Sequence, residues 1–190
     1  MIRDLITKNR SYRRFHQDLT ISLDTLRELV DLARLSASAA NKQPLKYMLS
    51  CDPVRNAMVF STLAWAASLK DWPGPSEGER PSAYIVILED KNLSNPYVTY
   101  DIGIAAQSIL LGATELGLGG CMLAAIKREQ LREKLAVPAN CAIELVVALG
   151  KPKEEVVIEE TPPSGDTTYW RDRDGVHHVP KLSLDTIIIG

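Results

Sequence analysis

Three arginines, a serine and two aromatic residues occupy six consecutive positions near the N-terminus. Their sequence is Arg10-Ser11-Tyr12-Arg13-Arg14-Phe15. Arginine presents a planar fork of donors that matches phosphate oxygens in pairs, and serine adds a hydroxyl donor. The spacing therefore favours a bound anion, and a phosphate over a lone carboxylate. The alternative is a solvated basic face, because a basic run is weak evidence on its own.

A second stretch, residues 36–44, combines small residues with side chains that form hydrogen bonds. Its sequence is Ser36-Ala37-Ser38-Ala39-Ala40-Asn41-Lys42-Gln43-Pro44. Small side chains allow a backbone to approach a flat ligand closely, while Ser38, Asn41 and Gln43 supply polar contacts. Asn41 has a structural alternative, in which its amide caps the preceding helix.

Together the two stretches resemble the nitroreductase family of flavoproteins, in which an Arg-Ser-x-Arg-x-Phe motif and a small-Ser-x-x-Asn-x-Gln-Pro motif both contact FMN. The resemblance implies an FMN-dependent oxidoreductase. Such an enzyme takes hydride from NAD(P)H by a ping-pong scheme and reduces an electron-poor acceptor such as a nitroaromatic or a quinone. Two alternatives stay open: an FMN-binding storage or sensing protein without nicotinamide turnover, and another flavin chemistry, such as reductive dehalogenation, on the same scaffold. No catalytic side chain is assigned, because the flavin performs the redox step.

The resemblance also implies which residues bind the cofactor. Arg10, Ser11 and Arg13 match the positions that hold the FMN phosphate, ribityl chain and pyrimidine edge, whereas Arg14 faces solvent or a carboxylate. Residues 37–41 match a loop that, in this family, reaches the flavin from the partner subunit, which makes a homodimer a requirement for the site. The residues expected to bind FMN are Arg10, Ser11, Tyr12, Arg13, Ala37, Ser38, Ala39, Asn41, Leu123, Ala124 and Lys181.

A glycine-rich turn and the short strand after it, residues 116–125, resemble the family's Leu-Gly-Leu-Gly segment. In relatives this backbone lies against the flavin, so an amide of Ala124 or Ala125 would stabilise negative charge on the reduced ring. The glycines also suit a helix cap. They do not complete Gly-x-Gly-x-x-Gly, because Met122 takes the last position, and they follow a helix rather than a strand. A Rossmann nicotinamide-binding domain is therefore disfavoured.

The C-terminal segment, residues 153–190, is expected to be a dimer-wrapping tail. Residues 169–172 and 179–183 resemble the tail of one nitroreductase subgroup, in which a basic residue at the position of Lys181 contacts the phosphate. A second basic residue often follows in relatives, but Leu182 stands here, so a surface lysine stays open. The family resemblance implies an interlocked homodimer; the alternative is a tail folded back on its own subunit.

Composition limits the class of protein. The chain has 190 residues, 45% of them hydrophobic, which suits one domain over residues 1–190. A net charge of -2 gives no broad attraction for nucleic acid or an anionic membrane. Three cysteines without Cys-x-x-Cys spacing argue against a disulfide framework or a zinc site and fit a reducing cytoplasm. The N-terminus lacks the apolar core of a signal peptide, and the apolar stretch 102–118 is interrupted by polar residues.

Two further features have both a functional and a structural interpretation. His177 and His178 lie close to acidic residues, but adjacent residues of a strand point to opposite faces, which argues against a metal site. Trp72 lies in the proline-rich stretch 71–81. It either covers the flavin or anchors this loop to the core.

Hydrophobic periodicity predicts the elements that position these residues, in an α+β fold with a mostly antiparallel central sheet flanked by helices and a C-terminal segment exchanged in a homodimer. The β-branched run 83–88 predicts a central strand, and the apolar helix 96–116 is expected to be buried on most sides. The predicted helices are 2–8, 23–35, 53–69, 96–116 and 128–135, and the predicted strands are 46–51, 83–88, 121–125 and 142–149. Residues 153–174 are polar, contain prolines and are too long for an ordinary connection, and 182–189 are expected to form a short helix or strand.

Overall fold

Helices cover both faces of an antiparallel sheet in the computed structural model, which describes residues 1–66, 68, 69 and 71–190. The elements in chain order are α1 (Ile2–Lys8), β1 (Phe15–His16), α2 (Leu23–Leu35), a 3-10 turn (Ala39–Asn41), β2 (Leu45–Ser50), α3 (Pro53–Phe60), β3 (Ala83–Asp90), α4 (Val98–Glu115), β4 (Gly119–Leu123), α5 (Arg128–Leu135), β5 (Cys141–Pro152), β6 (Val156–Glu160), β7 (Trp170–Arg171), β8 (His177–Lys181) and α6 (Leu184–Ile187). The predicted α+β class is confirmed.

β5 is the strand that joins the main sheet together. It pairs antiparallel with β3, β4 and β1, and β2 pairs with β3. β3 therefore lies between two strands, and its residues 83–88 are at most 2% exposed. The prediction of a central strand is confirmed, because a strand that is apolar at every position must be covered on both faces.

The two faces of the sheet carry separate hydrophobic cores. On one face Ile85 packs in a cluster with residues of α2 and α4, such as Leu29. On the other face Val86 packs in a cluster with residues of α3 and α5, such as Leu131. Successive side chains of β3 thus alternate between the two cores, as the pleat of a strand requires.

α4 is apolar on every side, yet a single chain buries only one of its faces. Ala106, Ile109 and Ala113 are fully buried, whereas Tyr100 is 68% and Ile104 is 40% exposed. The expectation that this helix is buried on most sides is therefore wrong for one chain, because periodicity identifies an apolar face without identifying what covers it. None of the described helices is both long enough and apolar enough to cross a membrane.

α3 ends at Phe60, well before the predicted end near residue 69. The chain leaves the helix and pairs with the segment that follows β4, where the Ala64 N–H donates to the Ala125 carbonyl over 3.0 Å. The apolar residues after Phe60 take part in this pairing. Hydrophobic periodicity alone cannot distinguish such residues from the continuation of the helix. Residue 67, within the predicted helix, and residue 70, just after it, lie outside the described residues.

The tail contains a second, three-stranded sheet. β8 pairs parallel with β6 and antiparallel with β7. No element is predicted over 153–174, so β6 and β7 are missed. β7 has only two residues and is fixed by a partner distant in sequence, whereas β6 begins with the β-branched run Val156-Val157-Ile158, a local strand signal that the prediction does not use. The short element expected near the C-terminus is α6.

Part of the tail packs on its own chain. The Lys153 N–H donates to the Arg14 carbonyl over 2.9 Å, and within the tail Arg171 forms an ion pair with Glu154 over 2.8 Å. This part of the tail corresponds to the folded-back alternative. Residues 182–190 are exposed and include Ile187, Ile188 and Ile189. Exchange with a second copy stays a prediction for this end of the tail.

Replacing Gly120 by alanine should destabilise the fold. A Cβ atom there would lie 2.2 Å from the carbonyl oxygen of Ala148 and 2.9 Å from Leu110. Overpacking of this kind lowers the free energy of unfolding by about 1–3 kcal/mol, which urea denaturation measures. Gly103→Ala is the matched control, because no atom lies within 4 Å of a Cβ at that helical position. Equal stability of the two variants would contradict the close packing of β4 on β5.

Candidate functional site

Residues 10–14 are held against β4 by backbone and aromatic contacts. Ser11 forms a parallel bridge with Gly120, and the Tyr12 N–H donates to the Gly120 carbonyl over 3.0 Å. The Tyr12 ring lies on Gly119, where a Cβ atom would be 2.5 Å from it, and its hydroxyl donates to the Lys8 carbonyl over 3.0 Å. Burial raises the pKa of Tyr12. The glycines after α4 thus provide a flat strand surface for the arginine motif.

The Arg10 and Arg13 side chains keep unused donors. Arg10 Nη2 donates to the Ile6 carbonyl over 2.8 Å, while its buried Nε has no partner among the described residues. Arg13 Nη1 donates to the Ser11 carbonyl over 3.1 Å and lies 3.3 Å from Nε2 of His177. Because a guanidinium carries five N–H donors, both side chains can still bind an anion.

Arg14 is paired within the chain. Its Nε and Nη2 donate to the two carboxylate oxygens of Glu79 over 2.7 and 2.6 Å, and Lys153 Nζ lies 3.1 Å from the same carboxylate. The hydrogen bonds from Arg14 lower the pKa of Glu79 to about 2. The sequence predicts that Arg14 faces either solvent or a carboxylate. In the structure it faces a carboxylate, that of Glu79.

A fully buried carboxylate, that of Glu154, holds the backbone of the arginine motif. It accepts hydrogen bonds from the N–H groups of Arg13 and Arg14, the latter over 3.2 Å, and from Arg171 Nη2 over 2.8 Å. A charge removed from water is tolerated only when such donors surround it. Glu154 therefore fixes the motif and the tail to one another.

Tail residues complete a cleft of about 270 Å³ around Arg10 and Arg13. The Arg13 guanidinium lies 4.8 Å from the centre of the Tyr169 ring. Burial, assisted by Arg13 and Arg171, lowers the pKa of His177 to about 4, so its Nε2 accepts a hydrogen bond from Arg13 at neutral pH. We call the whole cavity the arginine cleft. It is lined by Asn9, Arg10, Ser11, Arg13, Tyr169, His177, Val179 and Lys181.

The arginine cleft has the chemistry of an anion site. Arg10, Arg13 and Lys181 are cationic, and no acidic side chain occurs among the described residues that line the cleft. Ser11 adds a hydroxyl group. Charge-assisted hydrogen bonds from such donors are the ones that hold phosphate groups in proteins. Lys181, for which the sequence left a surface position open, lies in the same cleft as the arginine motif.

The second predicted stretch is held by another buried carboxylate. Asp101 of α4 is 3% exposed and accepts from the Ser38 hydroxyl over 2.7 Å and from the Ala39 N–H over 2.8 Å. Ser38 Oγ in turn accepts from the Gln43 N–H over 3.0 Å. Ser38, predicted as a ligand contact, therefore also shapes the loop.

Three non-glycine residues of this loop have a left-handed backbone. The φ angle is +49° at Ala40, +53° at Asn41 and +50° at Gln43. Each such residue costs roughly 1–3 kcal/mol, and backbone strain of this kind clusters at ligand sites. The capping alternative for Asn41 is not found. Ser36 bonds to the last carbonyls of α2, while the Asn41 side chain is exposed and forms no hydrogen bond with the described residues.

The same loop forms a second cleft, of about 240 Å³, beside α2, α4 and β2. We call it the loop cleft, and it is lined by Ala33, Arg34, Ser36, Ala37, Ser38, Gln43, Pro44, Leu45, Lys46, Tyr47, Asp101 and Ala105. The two clefts share no residue. Within one chain the predicted site residues therefore fall into separate groups, with Ala39 and Asn41 on the loop beside the second cleft.

Leu123 and Ala124 form a third group, at the end of β4. Leu123 is 6% exposed and its side chain packs in the core, so a ligand would meet only its backbone. Ala124 and Ala125 follow the strand and are exposed. None of the three lines the arginine cleft or the loop cleft, and their contact with a ligand stays a prediction.

Trp72 anchors its loop. Its ring packs against the core that contains Val86. The Arg171 guanidinium lies 5.0 Å from the centre of the same ring. Of the two interpretations of Trp72, this geometry favours the anchor.

His178 makes contacts that differ completely from those of His177. It pairs with Glu159, lies 3.3 Å from Oδ2 of Asp172 and stacks on Trp170 with the ring centres 4.0 Å apart. Hydrogen bonds to the two carboxylates raise the pKa of His178. In the part of the chain that the structure describes, no group of three histidine, cysteine or acidic side chains could hold a metal ion.

Sequence analysis missed Asp101, Glu154 and His177 as parts of these clefts. Asp101 carries a usable signal, because an acid near the start of a largely apolar helix is paired when it is buried. Glu154 has none, since it lies among other acidic residues in a polar stretch. His177 was considered only as a metal ligand.

A family model described as "Nitroreductase family" matches residues 6–73 and 78–151 of the chain. A protein of Archaeoglobus fulgidus, named "Putative NADH dehydrogenase/NAD(P)H nitroreductase", is 32% identical over 149 residues, which are 75% of this chain and 80% of that protein.

Solved structures share the fold. A "putative nitroreductase in complex with FMN" from Desulfovibrio desulfuricans has a TM-score of 0.69 at 22% identity, over 86% of this chain and 92% of that one. A nitroreductase family protein from Streptococcus pneumoniae has a TM-score of 0.69 at 17% identity, over 100% of both chains. The second of these two structures matches the whole length of the chain, the tail included.

Titration of the two adjacent histidines should change stability in opposite directions. The pKa of His177 falls from 6.5 to about 4 on folding, so the unfolded chain binds the extra proton and stability is lost as the pH falls through this interval. The pKa of His178 is raised from 6.5, so its contribution is complete below that pH and is lost as the pH rises through the folded pKa.

The measurement is the free energy of unfolding in urea between about pH 4 and about pH 9. The wild-type protein should lose stability at low pH through His177 and at high pH through His178. The loss at low pH should be absent in His177→Gln, and the loss at high pH should be absent in His178→Gln. Each variant is the control for the other. Two variants with the same profile would contradict the different environments of the two rings.

Proposed function

The chain belongs to the nitroreductase family, and from this premise we propose that it is an FMN-dependent oxidoreductase whose arginine cleft holds the flavin phosphate. The observation that carries the proposal is the donor set of that cleft. Arg10 and Arg13 offer unused N–H groups, and Lys181 lies in the same cleft. A phosphate with several oxygens can satisfy these donors together, which a single carboxylate cannot do.

A second copy of the chain is proposed to complete each flavin site. The arginine cleft and the loop cleft share no residue within one chain, and we assign Ala37, Ser38, Ala39 and Asn41 to the flavin held by the partner. Large apolar side chains near the loop support a homodimer: Leu35 at the end of α2 is 66% exposed, and Tyr100, next to Asp101, is 68% exposed. The exposed residues 182–190 are the part of the tail proposed to exchange.

Bound FMN would supply the redox chemistry in two half-reactions, taking hydride from NAD(P)H and then reducing an electron-poor acceptor such as a nitroaromatic or a quinone. The residues of the chain bind and orient the cofactor. Arg10, Arg13 and Lys181 are assigned to the phosphate, Ser11 to the ribityl chain, and the backbone after Leu123 to the edge of the ring. We assign no general acid or nucleophile.

The test is an absorbance spectrum of the purified protein loaded with FMN and kept anaerobic, recorded before and after the addition of NADH or NADPH, and again after a quinone. The expected result is bleaching of the flavin by a nicotinamide and recovery with the quinone. Retained flavin that neither nicotinamide bleaches would support a storage or sensing protein instead. Failure to retain FMN would overturn the assignment of the arginine cleft.

Arg13→Ala should weaken FMN binding by about 1.5–3 kcal/mol, because it removes a charge-assisted hydrogen-bond donor from the phosphate. Riboflavin lacks the phosphate, so its affinity should change much less. Quenching of flavin fluorescence gives both dissociation constants. Arg27→Ala, on the exposed side of α2, is the control and should change neither. An equal loss for FMN and riboflavin would exclude Arg13 as a phosphate contact.

A further inference from the structure

A third cleft, of about 190 Å³, lies on the chain away from the residues assigned to the flavin. Residues 77–84 and the first turns of α3 form its walls, and none of its residues lines the arginine cleft or the loop cleft. We call it the Arg80 cleft; the residues that matter to its chemistry are Ala57, Phe60, Arg80, Pro81, Ser82 and Tyr84.

Two hydroxyl groups of the Arg80 cleft are buried. Tyr84 is 0% and Ser82 is 6% exposed, and both Tyr84 Oη and Ser82 Oγ lack a partner among the described residues. Ser82 lies just before β3 and Tyr84 lies within it, and both residues line the same cleft. A buried hydroxyl without a partner is unfavourable, which makes this surface receptive to a ligand that accepts hydrogen bonds.

Arg80 gives the cleft a cationic side. Its guanidinium lies 4.5 Å from the centre of the Phe60 ring, and its buried Nε has no partner among the described residues. Nη1 lies 3.1 Å from Oε2 of Glu77, whose side chain is 79% exposed. An ion pair this open to water contributes little, so an anion inside the cleft can bind Arg80 without losing a strong interaction.

The contrast with Asn56 distinguishes ligand-facing groups from structural ones. Asn56 lines the same cleft, yet its Oδ1 accepts from the Ser50 hydroxyl over 2.7 Å and its Nδ2 donates to the Ser82 carbonyl over 2.7 Å. The fold therefore provides hydrogen-bond partners for Asn56, the buried polar side chain that has a packing role. The groups left without partners, on Arg80, Ser82 and Tyr84, are all potential donors.

We propose that the Arg80 cleft binds a compact organic carboxylate. The carboxylate would accept hydrogen bonds from Arg80, Ser82 and Tyr84, and the apolar body would lie against Ala57, Phe60 and Pro81. Arginine binds a carboxylate through two parallel hydrogen bonds, which fixes the orientation of the acid. This site is independent of the proposed flavin chemistry, because it uses none of the same residues.

The test uses cyclohexanecarboxylate as the probe and cyclohexanecarboxamide as its neutral counterpart, with binding followed by saturation-transfer difference NMR. The protein is studied with and without saturating FMN. The acid should bind saturably in both cases, and the amide should bind at least about tenfold more weakly, since it is neutral and cannot form the two parallel hydrogen bonds of an arginine–carboxylate ion pair. FMN should not displace the acid.

Three variants locate the binding site. Arg80→Gln should weaken binding of the acid at least about tenfold. Arg27→Gln, on the exposed side of α2, should leave this binding unchanged. Tyr84→Phe should weaken binding while keeping or raising the melting temperature, because it removes a buried hydroxyl that has no partner. A purely structural role for this hydroxyl would lower the melting temperature instead.

Absence of saturable binding to the wild-type protein would overturn the proposal. So would binding that neither Arg80→Gln nor Tyr84→Phe weakens. Failure of the flavin assignment is a different result: a protein that retains no FMN but binds the acid in an Arg80-dependent manner would contradict the proposed function and support the Arg80 cleft.

Discussion

The buried carboxylate of Glu154 is the constraint on which the arginine cleft depends. It accepts hydrogen bonds from the backbone at Arg13 and Arg14 and from the side chain of Arg171. One charge thereby joins a loop near the N-terminus to a strand of the tail, beside the contacts that Arg13 makes with Tyr169 and His177. The loop cleft is built by the same principle, because Asp101 accepts from both the side chain and the backbone of the loop it supports.

The placement of these acids explains why both loops can be rigid without regular structure. A loop lacks the ladder of hydrogen bonds that fixes a strand, so a buried acceptor must supply the geometry. At Asp101 this acceptor also holds a loop with a left-handed backbone at Ala40, Asn41 and Gln43. The cost of burying each acid is offset only when all its donors are in place, which makes each loop and its support form together.

The sequence predicted the parts of the fold that local patterns determine. α2 and α5 have their predicted bounds, because each shows an apolar face at helical spacing. The predicted α3 is too long and β7 is missed, because both depend on partners distant in sequence, whereas β6 has a short β-branched run that the prediction overlooks. For the site, the arginine motif and Lys181 do share a cleft. The acids that shape both clefts were not predicted, since the chemistry of a buried carboxylate becomes visible only when its donors are located in three dimensions.

The two sides of the arginine cleft come from distant parts of the chain and are therefore made at different times during its synthesis. The ribosome makes Arg10 and Arg13 early, and the main sheet has all its strands once β5 has emerged. His177, Val179 and Lys181, on the other side of the arginine cleft, emerge later with β8. A chain that ends after β5 would contain every strand of the main sheet but only one side of the arginine cleft. If this cleft holds the flavin phosphate, as proposed, its complete set of donors exists only after β8 has been made.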